Sequence, residues 1–315
     1  MNRKKLIAFS LSLAMTVVPV TPAAAAGAEQ NSEGLQNAVL DLGFENSLED
    51  SSGKGNNGTL SSGNAEYVDG VVGKALKMNG SSYVNLGTST DLQPENLTLS
   101  FWIRPDTAMT GEELISWNKN EWYTDGWYLS SENDNTPLTL SIGPAKTNGQ
   151  PYRVSVSGKR SDFFPAGEWT HIAVTYDKDS KEICFYRNGV KCSTVTTYGI
   201  SGESTGVLGS DASMEKSVGY NGPKYKGAYL KASLDEYQLY NEATPEEVIA
   251  LYEESGQTFD RKAVAQADLD KISIPETTQG NLSLPATGES GSAISWSSDN
   301  EAVVAADGTV VRPGV

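Results

Sequence analysis

Histidine, cysteine and basic residues are scarce in this sequence, and each shortage excludes a class of chemistry. The chain has one histidine and two cysteines. A serine–histidine–acid triad could therefore use only His171, and a zinc site of cysteine and histidine ligands would have too few donors. Lysine and arginine number 24 against 40 acidic residues, which gives a net charge of −16. Nucleic acids and anionic membranes require a positive surface, so neither is expected as a partner.

The residues that are abundant favour an all-β protein with many turns. Hydrophobic residues make up 38% of the chain and charged residues 20%, which is a globular composition. Glycine occurs 31 times, and there are 6 tryptophans, 14 tyrosines and 7 phenylalanines. Aromatic residues favour strands and glycine favours turns. A length of 315 residues suggests about two domains.

Residues 1–26 have the pattern of a secretory signal peptide. Arg3, Lys4 and Lys5 are followed by an apolar run from Leu6 to Val20, which is too short for a comfortable membrane span. Three alanines, residues 24–26, then supply the small residues of a cleavage site. The sequence predicts a secreted protein without a membrane anchor after cleavage, and residues 27–34 are interpreted as a linker.

Residues 35–256 show the period-two alternation of antiparallel strands. The runs Leu97–Ile103 and His171–Tyr176 each place their apolar side chains on one face. Such strands are expected to bury one face and solvate the other. A single helix is predicted at the end of the block, capped by Thr244, with an apolar stripe that would lie on the sandwich.

Five segments of this block resemble the laminin G-like, concanavalin A-like jelly roll of bacterial secreted proteins. In order they are GKALKMNGSSYVNLG (73–87), LTLSFWIRP (97–105), GEWTHIAVTYD (167–177), EICFYRNGV (182–190) and LDEYQLYNEATPEEVIALY (234–252). The resemblance implies two packed antiparallel sheets with a concave face, usually serving in carbohydrate binding or adhesion.

Catalysis is not expected in this block. Glucanases that share the wider fold carry the pattern E-x-D-x-x-E on one strand, and a retaining mechanism requires two carboxyl groups about 5–5.5 Å apart. The sequence has no such triplet. The nearest acidic pair, Asp235 and Glu236, is adjacent in the chain, and adjacent side chains of a regular strand point to opposite faces.

Residues 257–315 resemble an atrophied bacterial immunoglobulin-like domain, on the runs WSSDN and ADGTV. A full sandwich of this kind needs about seven strands and about 100 residues, so the block is interpreted as truncated. The expected fold is therefore an all-β jelly-roll sandwich followed by a partial immunoglobulin-like β domain. Similar arrays usually precede a glycoside hydrolase, family 43 being the kind most often expected, so the resemblance implies a catalytic domain that these residues do not include.

Aromatic and polar residues in and near the stretch 117–128 are the predicted carbohydrate site. Aromatic rings stack on sugar C–H faces, and polar side chains bond hydroxyl groups. The predicted contacts are Trp117, Asn118, Trp122, Tyr123, Asp125, Tyr152 and Arg153. Trp127 is interpreted as a core residue. The alternative is that these rings only cover the edge of the sandwich.

A structural calcium ion is the second predicted site, chiefly because of the family resemblance. Ca²⁺ takes 6–8 oxygen ligands. The predicted ligands are Glu45, Asp50, Asn56 and Asp235. The alternative is a solvated acidic loop.

The two cysteines are predicted to remain unbridged. Asn188-Gly189 favours a two-residue hairpin loop that places Phe185 opposite Cys192 and leaves Cys184 on the other face. A three-residue loop would instead pair the two cysteines.

The favoured function is a secreted, monomeric, non-catalytic module that binds a polysaccharide or other glycan and forms the N-terminal part of a modular glycoside hydrolase. The alternative is a cell-surface adhesion domain that binds a protein or a host glycan.

Overall fold

The computed structural model describes the backbone in ranges, which are residues 13–18, 38–111, 113–119, 126–143, 152–192, 195–198, 212–220, 229–242, 247–275, 278 and 280–311. The chain divides into two compact units. One unit is Gly27–Phe259, and the other comprises Asp260–Val315 with Met1–Ala26. None of the helices in these ranges is both long and apolar enough to cross a membrane.

Two eight-stranded antiparallel sheets form the first unit. The strands of sheet 1 are β3 (Thr59–Leu60), β6 (Val84–Asn85), β8 (Glu113–Lys119), β9 (Gly126–Ser131), β10 (Leu138–Gly143), β11 (Tyr152–Val156), β15 (Val195–Tyr198) and β16 (Ser217–Val218). Those of sheet 2 are β2 (Ala38–Leu42), β4 (Glu66–Asp69), β5 (Lys74–Lys77), β7 (Leu97–Pro105), β12 (Thr170–Tyr176), β13 (Ile183–Arg187), β14 (Val190–Lys191) and β17 (Ala232–Tyr240). The order in sheet 1 is β15-β11-β10-β9-β8-β16-β6-β3, and the order in sheet 2 is β14-β13-β12-β7-β17-β5-β4, with β2 also paired to β17.

Three helical segments accompany these sheets: a 3-10 turn at Thr90–Leu92, the short helix α1 (Arg160–Phe163) and helix α2 (Glu247–Glu254). The predicted cap of α2, Thr244, lies outside the described residues. The predicted apolar stripe is confirmed, since Val248, Ile249 and Leu251 are buried.

The core between the sheets contains the residues that the alternation predicted. Leu99, Phe101 and Ile103 of β7 are 0% exposed, and so are Ile172 and Val174 of β12. The predicted all-β jelly-roll sandwich is therefore confirmed.

The expectation that the opposite face of these strands is solvated is wrong. Ser100 and Trp102 of β7 and His171 of β12 are also buried, at 2%, 4% and 1% exposure. The reason is α2, whose Tyr252 ring stacks on Trp102 with centroids 5.6 Å apart and whose Val248 packs in the same outer layer. Sheet 2 is thus covered on both faces where α2 crosses it.

The hairpin between β13 and β14 has the predicted register. Arg187 pairs with Val190, and the backbone N–H of Cys192 donates to Phe185 O at 2.8 Å. Both loop residues have positive φ, 50° at Asn188 and 75° at Gly189, as a two-residue type I′ turn requires. Both cysteines are free thiols: Cys184 is in the outer layer of sheet 2, and Cys192 packs against the core. The prediction of two unbridged thiols is confirmed.

The second unit contains helix α3 (Arg261–Asp270) and strands β1 (Leu13–Val18) and β18 (Ala293–Ser298), which pair antiparallel. Asp260 caps α3 by accepting from the backbone N–H groups of residues 262 and 263. Because β1 lies within the predicted signal peptide, cleavage after residue 26 would leave β18 without this partner. Signal cleavage itself stays a prediction.

Candidate functional site

The predicted contact residues on β8 are buried. Trp117 is 2% exposed and stacks on Tyr128 of β9, with ring centroids 5.2 Å apart. Asn118 is 1% exposed, and its side-chain amide donates to Ser116 Oγ at 2.9 Å. Neither side chain therefore offers a surface to a ligand, contrary to the expectation for both. The sequence does not show that both faces of β8 are covered.

Arg153 is the other predicted residue whose side chain the structure describes. It forms an ion pair with Glu132, and its guanidinium carbon lies 6.0 Å from the centroid of the Tyr128 ring. Trp117 and Arg153 thus both lie against the Tyr128 ring, which is itself 0% exposed. Trp122, Tyr123 and Asp125 lie outside the described residues, and only the backbone of Tyr152, paired with Ile142, is described.

The predicted calcium ligands Asp50 and Asn56 lie in the loop after β2 and bond each other. The Asn56 N–H donates to Asp50 Oδ2 at 2.8 Å, and the same carboxylate accepts the N–H groups of Asp41 and Ser52 at 2.9 Å. Burial alone would raise the Asp50 pKa, but the hydrogen bond from the Ser52 hydroxyl, together with these backbone hydrogen bonds, outweighs burial and holds the pKa below its usual range. The carboxylate already has its donors and organises the loop.

The other two predicted ligands lie near the turn between β4 and β5. Glu45 accepts the Lys74 N–H at 3.0 Å, and Asp235 accepts the N–H groups of Val71 and Val72 at 2.7 and 3.0 Å. Asp50 and Asn56 are therefore bonded to each other, whereas Glu45 and Asp235 each accept different backbone N–H groups of residues 71–74. Among the described residues, no group of three or more His, Cys, Asp or Glu side chains is arranged to hold a metal ion. The side chains present do not fit the predicted four-ligand site, and calcium binding stays a prediction.

Carboxylates nevertheless crowd together around β17. Burial raises the pKa of Asp235 to about 6 against the backbone hydrogen bonds that lower it, with a smaller contribution from the nearby charge of Glu45. Burial raises the pKa of Glu236 to about 7, assisted by the charges of Asp235, Asp41, Glu45 and Glu254. Ionised Glu236 therefore destabilises the folded state at neutral pH.

Replacing Glu236 by glutamine is expected to stabilise the protein more at pH 8 than at pH 5. A carboxyl group with a raised folded-state pKa binds its proton more tightly when folded, so the free energy of unfolding falls as pH rises from the unfolded pKa, near 4.5, through the folded pKa, about 7. Each kcal/mol shifts the melting temperature by roughly 2–4 °C in a domain of this size. We expect the melting temperature of Glu236→Gln to lie above that of the wild type by roughly 2–4 °C at pH 8.

Melting curves of the wild type and the variant at both pH values measure this difference. Comparing the two proteins at each pH cancels the contribution of His171, whose pKa burial lowers to about 3 and which favours stability at higher pH. Glu49→Gln, at an exposed position, is the control. An equal or larger gain at pH 5 would show that Glu236 is not the strained group.

Three tyrosines that the sequence did not single out form an aromatic group at the β16–β6 side of sheet 1. Tyr83 directly precedes β6, Tyr220 follows β16, and Tyr229 precedes β17. The ring centroids of Tyr83 and Tyr220 lie 5.0 Å apart, those of Tyr220 and Tyr229 4.4 Å, and those of Tyr83 and Tyr229 6.3 Å. Interplanar angles of 9–23° make the rings nearly parallel. We call these three residues the tyrosine platform.

The platform is staggered and partly open to solvent. If the three rings were stacked in a straight line, the distance between the Tyr83 and Tyr229 centroids would be the sum of the two shorter centroid distances. The observed distance of 6.3 Å is smaller, so the rings are offset. Tyr83 and Tyr229 are half-buried, whereas Tyr220 is 7% exposed. The residues that directly follow Tyr83 and Tyr229 in the chain, Val84 and Leu230, are core residues at 0% exposure, whereas the two tyrosines keep part of their surface open.

The hydroxyl groups of Tyr83 and Tyr220 are neutral hydrogen-bonding groups at physiological pH. Burial raises the pKa of Tyr83, and the nearby Glu215 carboxylate raises it further. Burial likewise raises the pKa of Tyr220, assisted by Tyr229. The platform therefore combines ring faces with hydroxyl groups that both donate and accept, the combination that suits an amphipathic ligand with C–H faces and hydroxyl groups.

A family profile described as the concanavalin A-like lectin/glucanases superfamily matches residues 78–250. The chain belongs to this superfamily. A second profile, the atrophied bacterial Ig domain, matches residues 262–315. Both matches fall on the segments that carried the resemblances in the sequence. No curated protein matches the chain.

Solved structures share the fold of this superfamily member at low sequence identity. One describes cell entry of botulinum neurotoxin type C through two ganglioside molecules (16% identity, TM-score 0.52, 71% of this chain and 52% of that chain). Another is the binding domain of botulinum neurotoxin DC with rat synaptotagmin II (14% identity, TM-score 0.52, 70% and 52%). Domain 4 of a GH43 extracellular arabinanase from Geobacillus stearothermophilus, in complex with arabinotriose, matches with 24% identity and a TM-score of 0.49 over 69% of this chain and 98% of that domain. The aligned region is about half of each neurotoxin chain.

Proposed function

We propose that the protein is a secreted, non-catalytic carbohydrate-binding module that forms the N-terminal part of a modular extracellular glycoside hydrolase, related to family 43. The observation that supports it most is the tyrosine platform, a partly open aromatic surface on a concanavalin A-like sandwich. Sugar rings present C–H faces to aromatic rings and hydroxyl groups to the phenol oxygens. The acidic net charge of −16 suits a neutral polysaccharide better than a nucleic acid.

We propose that the first unit is not catalytic because its carboxylates lack the arrangement that glycoside hydrolysis requires. The sequence lacks the E-x-D-x-x-E triplet. The nearest acidic pair is Asp235 and Glu236. Both carboxylate oxygens of Asp235 already accept backbone N–H groups. A general acid and a nucleophile on one strand are therefore not provided there.

Binding and hydrolysis are tested together on the purified protein. Electrophoresis through gels containing arabinan, xylan or laminarin measures binding as retardation, and reducing-sugar release from the same polysaccharides measures hydrolysis. We expect retardation by at least one polysaccharide and no sugar release. Steady release that is lost on replacing one acidic residue would contradict the non-catalytic assignment. No retardation, together with no signal on a glycan array, would contradict carbohydrate binding and favour a protein-binding adhesion domain.

A further inference from the structure

Tyr220 and Tyr229 form the tightest pair of the tyrosine platform. Their ring centroids lie 4.4 Å apart and their planes differ by 9°, whereas the Tyr83 and Tyr220 centroids lie 5.0 Å apart and the planes differ by 23°. Stacked aromatic pairs in proteins usually have centroids about 4.5–7 Å apart. The Tyr220 and Tyr229 rings are therefore nearly parallel and at the short end of the usual separation.

A hydrogen bond joins the hydroxyl groups of this pair. Burial is the main cause of the raised Tyr220 pKa, and a hydrogen bond between the Tyr220 and Tyr229 side chains adds to it. The hydroxyl is the one conventional hydrogen-bonding group of a tyrosine side chain, so this bond joins the two phenol oxygens. Parallel rings whose oxygens are in contact point the same way. The ortho carbons, which are next to the hydroxyl-bearing carbons, therefore lie side by side in the two rings.

An oxidant can reach this pair from the open side of the platform. Tyr229 and Tyr83 are half-buried, and Tyr220, at 7% exposure, stacks against both. An electron can pass from the Tyr220 ring to an oxidised Tyr229 ring, and Tyr229 can then be oxidised a second time. Both rings thus become radicals although the oxidant meets only Tyr229.

We propose that Tyr220 and Tyr229 are a cross-linking site, at which a peroxide, used by a haem peroxidase, joins the two rings through a carbon–carbon bond. Each phenol loses one electron and its hydroxyl proton, and the unpaired electron of the resulting phenoxyl radical resides partly on an ortho carbon. The two ortho carbons form the bond. Each of them then releases its hydrogen as a proton, and its own phenol oxygen takes one up. In total two electrons and two protons leave the protein, and they reduce one hydrogen peroxide to two water molecules.

The bond is expected to stabilise the folded state. Tyr220 follows β16 and Tyr229 precedes β17, so the link closes the chain over residues 221–228. Such a link restricts the unfolded chain, as a disulfide does, and the cross-linked protein should melt roughly 5–10 °C above the unlinked protein.

Peptide mapping of the oxidised protein tests the proposal. The purified protein is treated with a haem peroxidase and hydrogen peroxide at a low protein concentration, which limits links between molecules, and the monomer is isolated by size exclusion. We expect this monomer to show dityrosine fluorescence and to be lighter than the untreated protein by two hydrogen atoms. Its digest should contain one product that joins the Tyr220 peptide to the Tyr229 peptide.

Substitutions by phenylalanine locate the bond, because phenylalanine keeps the ring but cannot form a phenoxyl radical. Tyr229→Phe and Tyr220→Phe should each lose the joined peptide. Tyr83→Phe should retain it, and so should the control Tyr67→Phe, at a half-buried position on β4 of sheet 2. No joined peptide in the wild type, a link through Tyr83 instead, or a linked protein that melts no higher than treated Tyr229→Phe would overturn the proposal. None of these results depends on glycan binding.

Discussion

Replacing Trp127 by alanine is expected to lower the free energy of unfolding by about 3–5 kcal/mol, the range for removing a large aromatic side chain from a core. Trp127 lies on β9, is 0% exposed and belongs to the core between the sheets. Its indole N–H donates to Leu92 O at 3.0 Å. The substitution therefore leaves both a cavity and a buried carbonyl group without its donor.

Trp169→Ala is the matched control for this prediction. Trp169 is half-buried, and its main described contact is the Arg104 guanidinium, 4.7 Å from the ring centroid. Such a contact contributes about 0.5–1 kcal/mol at an exposed site. Urea denaturation followed by circular dichroism measures both variants. Equal losses for Trp127→Ala and Trp169→Ala would show that Trp127 is not a core residue.

Gly126→Ala is expected to lower the free energy of unfolding by more than about 3 kcal/mol, the upper end of the usual range for a single substitution. Gly126 begins β9 and has φ of 109°, which side chains rarely adopt. An added Cβ would lie 1.9 Å from Asn118 O and 2.5 Å from Gln93 Nε2. Since Asn118 belongs to the paired strand β8, relief of the clash requires the two strands to separate.

Gly111→Ala separates backbone strain from collision. Gly111 has φ of 82°, but an added Cβ would meet nothing within 4 Å. Only the strain of the left-handed conformation remains, about 1–2 kcal/mol. Melting curves of the two variants should therefore differ by several degrees. A Gly126→Ala variant as stable as Gly111→Ala would contradict the close approach of β8 and β9.

The sequence predicts the sandwich and one hairpin in residue-level detail because both follow from local rules. The alternation in β7 and β12 identified Phe101, Ile103 and Ile172 as core residues, and Asn188-Gly189 fixed the register that keeps the two thiols apart. These are contacts between neighbouring strands or within a two-residue turn. They require no knowledge of what covers the outer face.

The candidate sites could not be predicted in the same way because they depend on distant contacts. Tyr83, Tyr220 and Tyr229 come together only when β6, β16 and the start of β17 are assembled. The run Leu234–Tyr240 is continuous in sequence, so nothing in it shows the bulge that lies between Asp235 and Gln238. Trp117 has the aromatic and polar neighbours of a sugar contact, yet Tyr128 and Met214 bury it.

The most direct test of the carbohydrate-binding proposal is a calorimetric titration of the polysaccharide that retards the protein most, using wild type, Tyr229→Ala, Tyr229→Phe and Trp169→Ala. Removing one platform ring should cost about 1–1.5 kcal/mol, or about tenfold in affinity. We expect Tyr229→Ala to bind about tenfold more weakly, Tyr229→Phe to retain most of the affinity, and Trp169→Ala, whose ring lies under the Arg104 guanidinium, to bind like the wild type. Wild-type affinity in folded Tyr229→Ala would contradict the assignment of the tyrosine platform as the glycan-binding surface.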